Sequence, residues 1–267
     1  MRAEEEGASG VSMAAMAAAE ADDGSEELDL DRLYEIAVSV AKGLEYLHTG
    51  CNTRIVHFDI KPQNILLDED FCLKISDFGL AKLCKKKQSL LSVIGMSGTI
   101  GYIAPEMFSR NFGVVLHKLD VYSYGMMVLE MDGANKFVNG TETMFGSSSE
   151  NYFPDKIYGH VIGDVTGRLD GFVIEEEEEE NARKMFLVGF WCIQTNPSNR
   201  PSISKVVEML EGRLQSIQIP PKPVLFVPNT LPVLEFSSSF SSYDETEPSA
   251  EEIIWSQGVS VNVKKKK

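Results

Sequence analysis

Apolar residues recur at helical spacing along the stretch of chain between positions 31 and 50. The residues at intervals of three or four are Leu33, Ile36, Ala37, Val40, Ala41, Leu44 and Leu47. This spacing places them on one continuous helical face. Asp31 is suited to the N-cap and Gly50 to the C-cap. The pattern therefore predicts an amphipathic helix over residues 32–49.

The rest of the pattern predicts helices and one small hairpin. Two short apolar runs, Ile65–Leu67 and Cys72–Ile75, are separated by the acidic turn residues 68–70, as in a β-hairpin. Residues 77–106 contain many Gly and Ser and predict a loop. Further helices are predicted at 120–131, from the glutamate run 175–180 to 193, and from Ser202 to Gly212. The predicted class is mainly α with a short β-hairpin.

Both ends of the chain differ in composition from its middle. Residues 1–31 hold ten acidic groups against one arginine, which accounts for −9 of the formal net charge of −15. This composition predicts an acidic, Ala- and Glu-rich disordered leader over 1–30. The sequence Pro220-Pro221-Lys222-Pro223 favours polyproline II structure at the end of a folded region over 31–223. A Ser- and Pro-rich disordered tail is predicted over 224–267.

Composition excludes several classes of function. The net charge of −15 argues against a nucleic-acid partner, since binding a phosphate backbone requires clustered Lys and Arg. No apolar run approaches the roughly 20 residues of a membrane span, so no transmembrane segment is expected. The cysteines show no CxxC spacing and are interpreted as reduced thiols, at Cys51, Cys72, Cys84 and Cys192.

The chemistry of the chain is concentrated in two short motifs. The first, His57–Asn64, contains Asp59 with Asn64 five residues further on. The second, Asp77-Phe78-Gly79, begins thirteen residues after Asn64. An isolated Asp-Phe-Gly is more typical of a simple turn, but both motifs in this order form the catalytic and metal-binding signature of protein kinases.

The chain therefore resembles a protein kinase, and the resemblance implies a role for each motif residue. Asp59 would accept the proton of the substrate hydroxyl, or orient that hydroxyl. Asn64 and Asp77 would hold the Mg²⁺ ions that bridge the phosphates of ATP, and Lys61 would place a positive charge beside the transferred phosphoryl group. Lys61 together with Thr99 resembles the serine/threonine-specific pattern, in which Thr99 bridges Asp59 and Lys61.

Three further stretches extend the resemblance. Gly98–Glu106 is similar to the end of a kinase activation segment. Asp120–Gly125 is similar to the central helix of the larger kinase lobe, in which Asp120 would bind the backbone of the catalytic loop. Arg200 resembles the arginine that pairs with Glu106. The last two roles are structural.

The motifs at 57–62, 102–106, 111–113 and 191–194 resemble plant receptor-like kinases of the leaf-rust-resistance type. The resemblance covers about residues 31–223. It implies a cytoplasmic kinase at the inner face of the plasma membrane, whose partners are protein substrates or intact receptor-like kinases. Phe58 stands where this loop more usually has Arg. That Arg binds a phosphorylated activation loop through charge-assisted hydrogen bonds, which Phe cannot make, so this contact is not expected here.

The residues before the first predicted helix do not match a kinase. The smaller, sheet-rich lobe needs roughly 70 residues, whereas about 30 precede this helix, and they contain no GxGxxG. The one lysine before Asp59 is Lys42, inside the helix. We therefore expect a kinase C-lobe whose N-lobe is missing and whose activity alone is doubtful. A non-catalytic binding or interfering module is the main alternative, and a leader folded as a replacement lobe is a third.

Overall fold

A computed structural model describes residues 11–12, 30–68, 73–84, 98–108, 115–131, 154, 158 and 176–223. The helices of these ranges are α1 (Leu30–Glu45), α2 (Leu116–Met131), α3 (Glu176–Cys192) and α4 (Ile203–Glu211). The strands are β1 (Val11–Ser12), β2 (Arg54–Val56), β3 (Ile65–Leu67), β4 (Leu73–Ile75) and β5 (Lys82–Cys84). The predicted class, mainly α with a short hairpin, is confirmed for this part of the chain. Apart from β1 and Leu30, the first residue of α1, the predicted leader and tail lie outside the described residues.

The first helix buries the face that its sequence predicts. Its apolar positions from Ile36 to Leu44 are buried in the core. The predicted caps are wrong, because α1 begins at Leu30 and Asp31 lies in its first turn. A carboxylate is favourable there because it faces the positive end of the helix dipole. After Glu45 the chain continues as a π turn, Tyr46–Gly50, so Gly50 is not the C-cap.

The second helix runs through the centre of the fold. Most of its side chains are buried, including the carboxylate of Asp120. It crosses α3 at two glycines that have no room for a side chain. A Cβ atom on Gly125 would lie 2.5 Å from the Cβ of Cys192, and one on Gly189 would lie 2.8 Å from Leu129. The close approach of α2 and α3 thus depends on Gly at both positions.

The predicted hairpin is present. β3 and β4 pair antiparallel, with Ile65 opposite Ile75 and Leu67 opposite Leu73. Residues 69–72, which include most of the predicted turn, lie outside the described residues.

Two strands lie where the sequence predicts none. The predicted leader was expected to contain no strand, but β1 pairs antiparallel with β3 and places Val11 opposite Leu67. Residues 77–106 were predicted as loop, but they contain β5, which pairs antiparallel with β2. Both strands are short and pair with residues far away in sequence, so local periodicity gives little signal for them.

The fourth helix closes the core against α1 and α3. The Ser202 hydroxyl caps it by accepting a hydrogen bond from the Lys205 N–H, which confirms the predicted start at this serine. The Tyr34 hydroxyl of α1 donates to the carbonyl of Leu210 at 2.5 Å. Among the described residues, no helix is both long enough and apolar enough to cross a membrane.

A buried ion pair links two distant parts of the chain. The two terminal nitrogens of the Arg200 guanidinium donate to the two oxygens of Glu106 at 2.7 and 2.6 Å, and both side chains are fully buried. Arg200 also donates to the carbonyls of Gln194 and Lys118. Its guanidinium lies 4.9 Å from the centre of the Tyr122 ring. The expected Glu106–Arg200 pairing is therefore present.

We expect Arg200→Met to destabilise the fold by about 3–5 kcal/mol, because it leaves the Glu106 carboxylate buried without its partner. Replacing both residues by apolar ones, Glu106→Leu with Arg200→Met, should cost less than the single change. Urea unfolding monitored by circular dichroism measures both. Lys205→Met, which breaks the exposed Lys205–Glu208 pair, is the matched control and should cost under about 1 kcal/mol. An Arg200→Met cost no larger than the control would contradict the role of this pair.

Candidate active site

Three side chains from two separate segments meet at the centre of the site. The Lys61 ammonium donates to Asp59 Oδ2 at 2.7 Å and to Thr99 Oγ1 at 2.8 Å. The Thr99 hydroxyl in turn donates to Asp59 Oδ1 at 2.7 Å. Thr99 therefore lies between Asp59 and Lys61, in the bridging position that the resemblance implied.

The environment of Asp59 keeps its carboxylate ionised. Burial alone would raise the pKa of this group. Hydrogen bonds from Lys61, Thr99 and Asn64, together with the charge of Lys61, outweigh burial and lower the pKa below its ordinary value of 3.8. Asp59 is thus a negatively charged acceptor at neutral pH, held in a fixed orientation by three donors.

Asn64 and Asp77 lie at the neighbouring edge of the site. The Asn64 amide nitrogen donates to the Asp59 carbonyl at 2.8 Å and to Asp59 Oδ2 at 3.1 Å. The Ser76 N–H donates to the Asn64 carbonyl at 2.9 Å, which fixes the start of the Asp77 loop beside Asn64. Asp77 has a left-handed backbone with φ of 58°, and its exposed carboxylate accepts from the Gly79 N–H at 3.4 Å.

His57 connects the two motifs. A nitrogen of its buried ring lies 2.9 Å from the Ser76 carbonyl, and the ring packs at an angle against Phe78, with 4.8 Å between centroids. Its other ring nitrogen lies 3.3 Å from the Asp59 N–H. One imidazole therefore fixes both the residue before Asp77 and the backbone of Asp59.

The carboxylate of Asp120 anchors the backbone of the catalytic loop to the core. It accepts hydrogen bonds from the N–H groups of His57 and Phe58, each at 2.8 Å. The ring of His48 approaches the same carboxylate at 2.9 Å. Burial would raise the pKa of Asp120, but the hydrogen bond and charge of His48 and the contacts of His57 lower it. The expected contact between Asp120 and the loop backbone is present.

His48 and His117, which carry no motif signal in the sequence, both support the loop. His48 supports Asp120, and the His117 ring packs edge-on against the His48 ring with 6.0 Å between centroids. Nδ1 of His117 lies 3.0 Å from the Arg54 guanidinium. These partners are 63 to 72 residues apart in sequence, so spacing gave no signal for them.

An apolar cleft adjoins Asp59 and Thr99. Its lining includes Phe58, Tyr102, Ile103, Met107 and Leu119. The hydroxyl of Tyr102 donates to the Glu130 carboxylate, and the Tyr102 carbonyl accepts from Ser123 at 2.8 Å. The cleft is therefore built on side chains that α2 holds in place.

We expect Lys61→Met combined with Thr99→Val to raise the pKa of Asp59 above its ordinary value. The two changes remove the strongest donors, while burial, which raises the pKa, stays. Carboxyl ¹³C chemical shifts followed against pH measure the Asp59 pKa directly. An exposed carboxylate such as Glu35 serves as the internal reference in the same spectra. An unchanged Asp59 pKa would mean that these donors do not set it.

A second pH effect is expected from His117. Burial and the nearby charge of Arg54 lower its pKa from 6.5 to about 4. The unfolded state therefore binds an additional proton between these values, so stability is complete above about pH 6.5 and falls as the pH drops toward 4. His117→Asn keeps an acceptor for Arg54 but cannot titrate. Urea midpoints at several pH values from 7 to about 4.5 should fall less steeply for this variant, and equal slopes would contradict the role of His117.

Comparison with known proteins identifies the family. The protein kinase domain family matches residues 11–210, and the match begins inside the segment predicted as a leader. The chain is 56% identical over 222 residues to a PR5-like receptor kinase of Arabidopsis thaliana, covering 82% of this chain and 33% of that protein. It is 53% identical over 243 residues to the leaf rust 10 disease-resistance locus receptor-like protein kinase-like 2.8 of the same plant, covering 88% of this chain and 27% of that protein.

A third relative, the kinase-like 2.3 protein of the same leaf rust 10 group, is 56% identical over 227 residues, covering 84% of this chain and 36% of that protein. The chain thus spans about a third of the length of the curated relatives it matches. The resemblance to plant receptor-like kinases is confirmed, and the chain belongs to the protein kinase domain family.

Proposed function

We propose that this chain is part of a serine/threonine protein kinase of plant receptor-like signalling, which transfers the γ-phosphate of ATP to protein hydroxyl groups. The observation that carries the proposal is the triangle of Asp59, Lys61 and Thr99. An ionised carboxylate accepts the proton of, or orients, a substrate hydroxyl, and the adjacent ammonium neutralises charge on the transferred group. The two roles require these groups within hydrogen-bond reach, where they lie.

The donor set beside this triangle fits Mg²⁺ and ATP. Mg²⁺ prefers oxygen ligands, and the exposed Asp77 carboxylate and the Asn64 side-chain oxygen supply them. The Asn64 amide nitrogen is engaged by Asp59, which leaves the side-chain oxygen as the atom for a cation. When bound, the metal would neutralise phosphate charge. We assign Asn64 and Asp77 to the metal and Lys61 to the phosphate.

Specificity for serine and threonine rests on Lys61 and Thr99. Both side chains hold Asp59 directly, and their combination resembles the pattern of kinases specific for serine and threonine. Protein substrates or an intact receptor-like kinase are the proposed partners, at the cytoplasmic face of the plasma membrane.

A second candidate is a non-catalytic module that binds kinases or their substrates. The sequence before α1 contains no GxGxxG and no lysine suited to the phosphates. Phosphoryl transfer by this chain alone would lack such donors, and a single preorganised donor is typically worth about 3–4 kcal/mol of transition-state stabilisation. The catalytic loop is nevertheless fixed by the buried Asp120 carboxylate, and the segment that carries Thr99 by the buried Glu106–Arg200 pair. Neither contact involves nucleotide. Such a surface would bind a partner even where phosphoryl transfer is slow.

Nucleotide binding by the purified 267-residue chain separates the two candidates. A ligand at ten times its dissociation constant stabilises a fold by about 1.4 kcal/mol, which a thermal shift detects. We expect ATP with Mg²⁺ to raise the melting temperature of the chain and not that of Asp77→Asn. Asn is a better substitution than Ala for this test, because Asn tolerates the left-handed backbone of Asp77 and removes only the charge.

The outcomes point in opposite directions. A shift that Asp77→Asn abolishes, and that requires Mg²⁺, supports the kinase assignment. No shift at millimolar ATP, in a chain that melts cooperatively, would overturn nucleotide use by this chain and leave the binding module. An equal shift in both proteins would overturn the role of Asp77 as the metal ligand.

A further inference from the structure

Residues Ile217–Pro223, here called the proline segment, follow α4 and a short 3₁₀ turn. Every third residue of this segment is buried. Ile217, Pro220 and Pro223 are buried, and the four residues between them are exposed. Ile217 is extended, with φ of −86° and ψ of 116°. A polyproline II helix has three residues per turn, so every third side chain lies on one face. The proline segment therefore presents one apolar face to the protein, as such a helix does.

Three side chains donate hydrogen bonds to the backbone of this segment. The Trp191 indole N–H donates to the Gln218 carbonyl at 2.8 Å, and the Tyr158 hydroxyl donates to the Pro220 carbonyl at 2.8 Å. The Gln194 amide donates to the Pro221 carbonyl at 2.9 Å. A polyproline II helix makes no internal hydrogen bonds, so its carbonyls are available to such donors.

The donors stand on rigid supports. Gln194 is buried, and its amide also donates to the Phe190 carbonyl at 2.8 Å, which fixes its orientation. The Tyr158 ring packs edge-to-face on the buried Phe190 ring, with 5.1 Å between centroids. Trp191 belongs to α3, and Gln194 lies two residues after the end of that helix. The arrangement is therefore held by the helix and does not depend on the proline segment alone.

We propose that Tyr158, Trp191 and Gln194 form a recognition groove for polyproline II segments, which the proline segment fills in cis and a proline-rich segment of a partner protein can fill in its place. All three hydrogen bonds go to backbone carbonyls, so they select a backbone conformation and not particular side chains. Aromatic-lined grooves that bind proline-rich segments exploit the same preformed polyproline II backbone. The partner chemistry is a polyproline II segment with an apolar residue at every third position.

Exchange between the two occupants is governed by effective concentration. A segment joined to the domain by a short connection competes at roughly millimolar effective concentration. The groove of the unchanged chain is therefore largely filled by its own segment. Weakening the cis segment while leaving the groove intact should open it to a peptide in trans.

The test uses the full 267-residue chain and a fluorescein-labelled peptide with the sequence of residues 215–223. Anisotropy compares the unchanged chain with a variant carrying Pro220→Gly and Pro223→Gly. We expect the variant to bind the peptide at least about ten-fold more tightly, because cis competition is reduced. Adding Gln194→Met to the variant should abolish the gain. A control peptide with Gly at both buried proline positions should bind neither protein.

Equal, weak binding to both proteins would overturn the exchange, and equal binding of the control peptide would overturn polyproline recognition. A second measurement tests the same contact if the Pro220→Gly, Pro223→Gly variant does not fold. Tyr158→Phe removes one hydroxyl from the otherwise unchanged chain, and should accelerate trypsin cleavage after the exposed Arg213 several-fold. Tyr46→Phe, at an exposed tyrosine of the π turn, is the matched control. Equal cleavage rates for these two variants would mean that Tyr158 does not hold the segment.

Discussion

The carboxylate of Asp120 is the contact on which the geometry of the candidate site depends. A fully buried charge is costly unless donors surround it, and Asp120 meets two backbone N–H groups and the ring of His48. The two N–H groups belong to His57 and Phe58, the residues immediately before Asp59. Fixing them determines where the chain carrying Asp59 and Lys61 leaves the core. One helix residue thereby positions the loop.

The buried Glu106–Arg200 pair does the same for the other half of the site. Thr99 reaches Asp59 and Lys61 from a different segment, which ends at Glu106. The bidentate geometry of the pair holds that segment against the region between α3 and α4. The triangle at the centre of the site is thus assembled from two loops, and each loop is anchored by a charge in the interior.

The parts of the fold that could be predicted are those with a pattern inside one short stretch of sequence. Periodicity gave α1 and the β3–β4 hairpin, and the serine at 202 gave the start of α4. The motif residues gave the triangle, because their resemblance fixed which side chains meet. Contacts between distant residues left no local pattern, and so β1, the pairing of β2 with β5, and the support of Asp120 by His48 were missed. The polyproline character of residues 220–223 was predicted, but the hydrogen bonds that hold this stretch were not, since Trp191 and Gln194 entered only as part of the motif at 191–194.

The charged groups that hold the site together are buried, whereas those that would contact a nucleotide are exposed or partly exposed. Asp120, Glu106 and Arg200 are all buried. Asp120 is paired with His48 and the catalytic-loop backbone, and Glu106 with Arg200, so these contacts form when the chain folds and need no ligand. Asp77 is exposed, and Lys61 is only partly covered. A nucleotide would therefore meet groups that need no rearrangement of the core. Because the anchors are independent of ligand, the same loop geometry is compatible with both proposed functions, and the choice between them rests on the phosphate contacts available to Asp77 and Lys61.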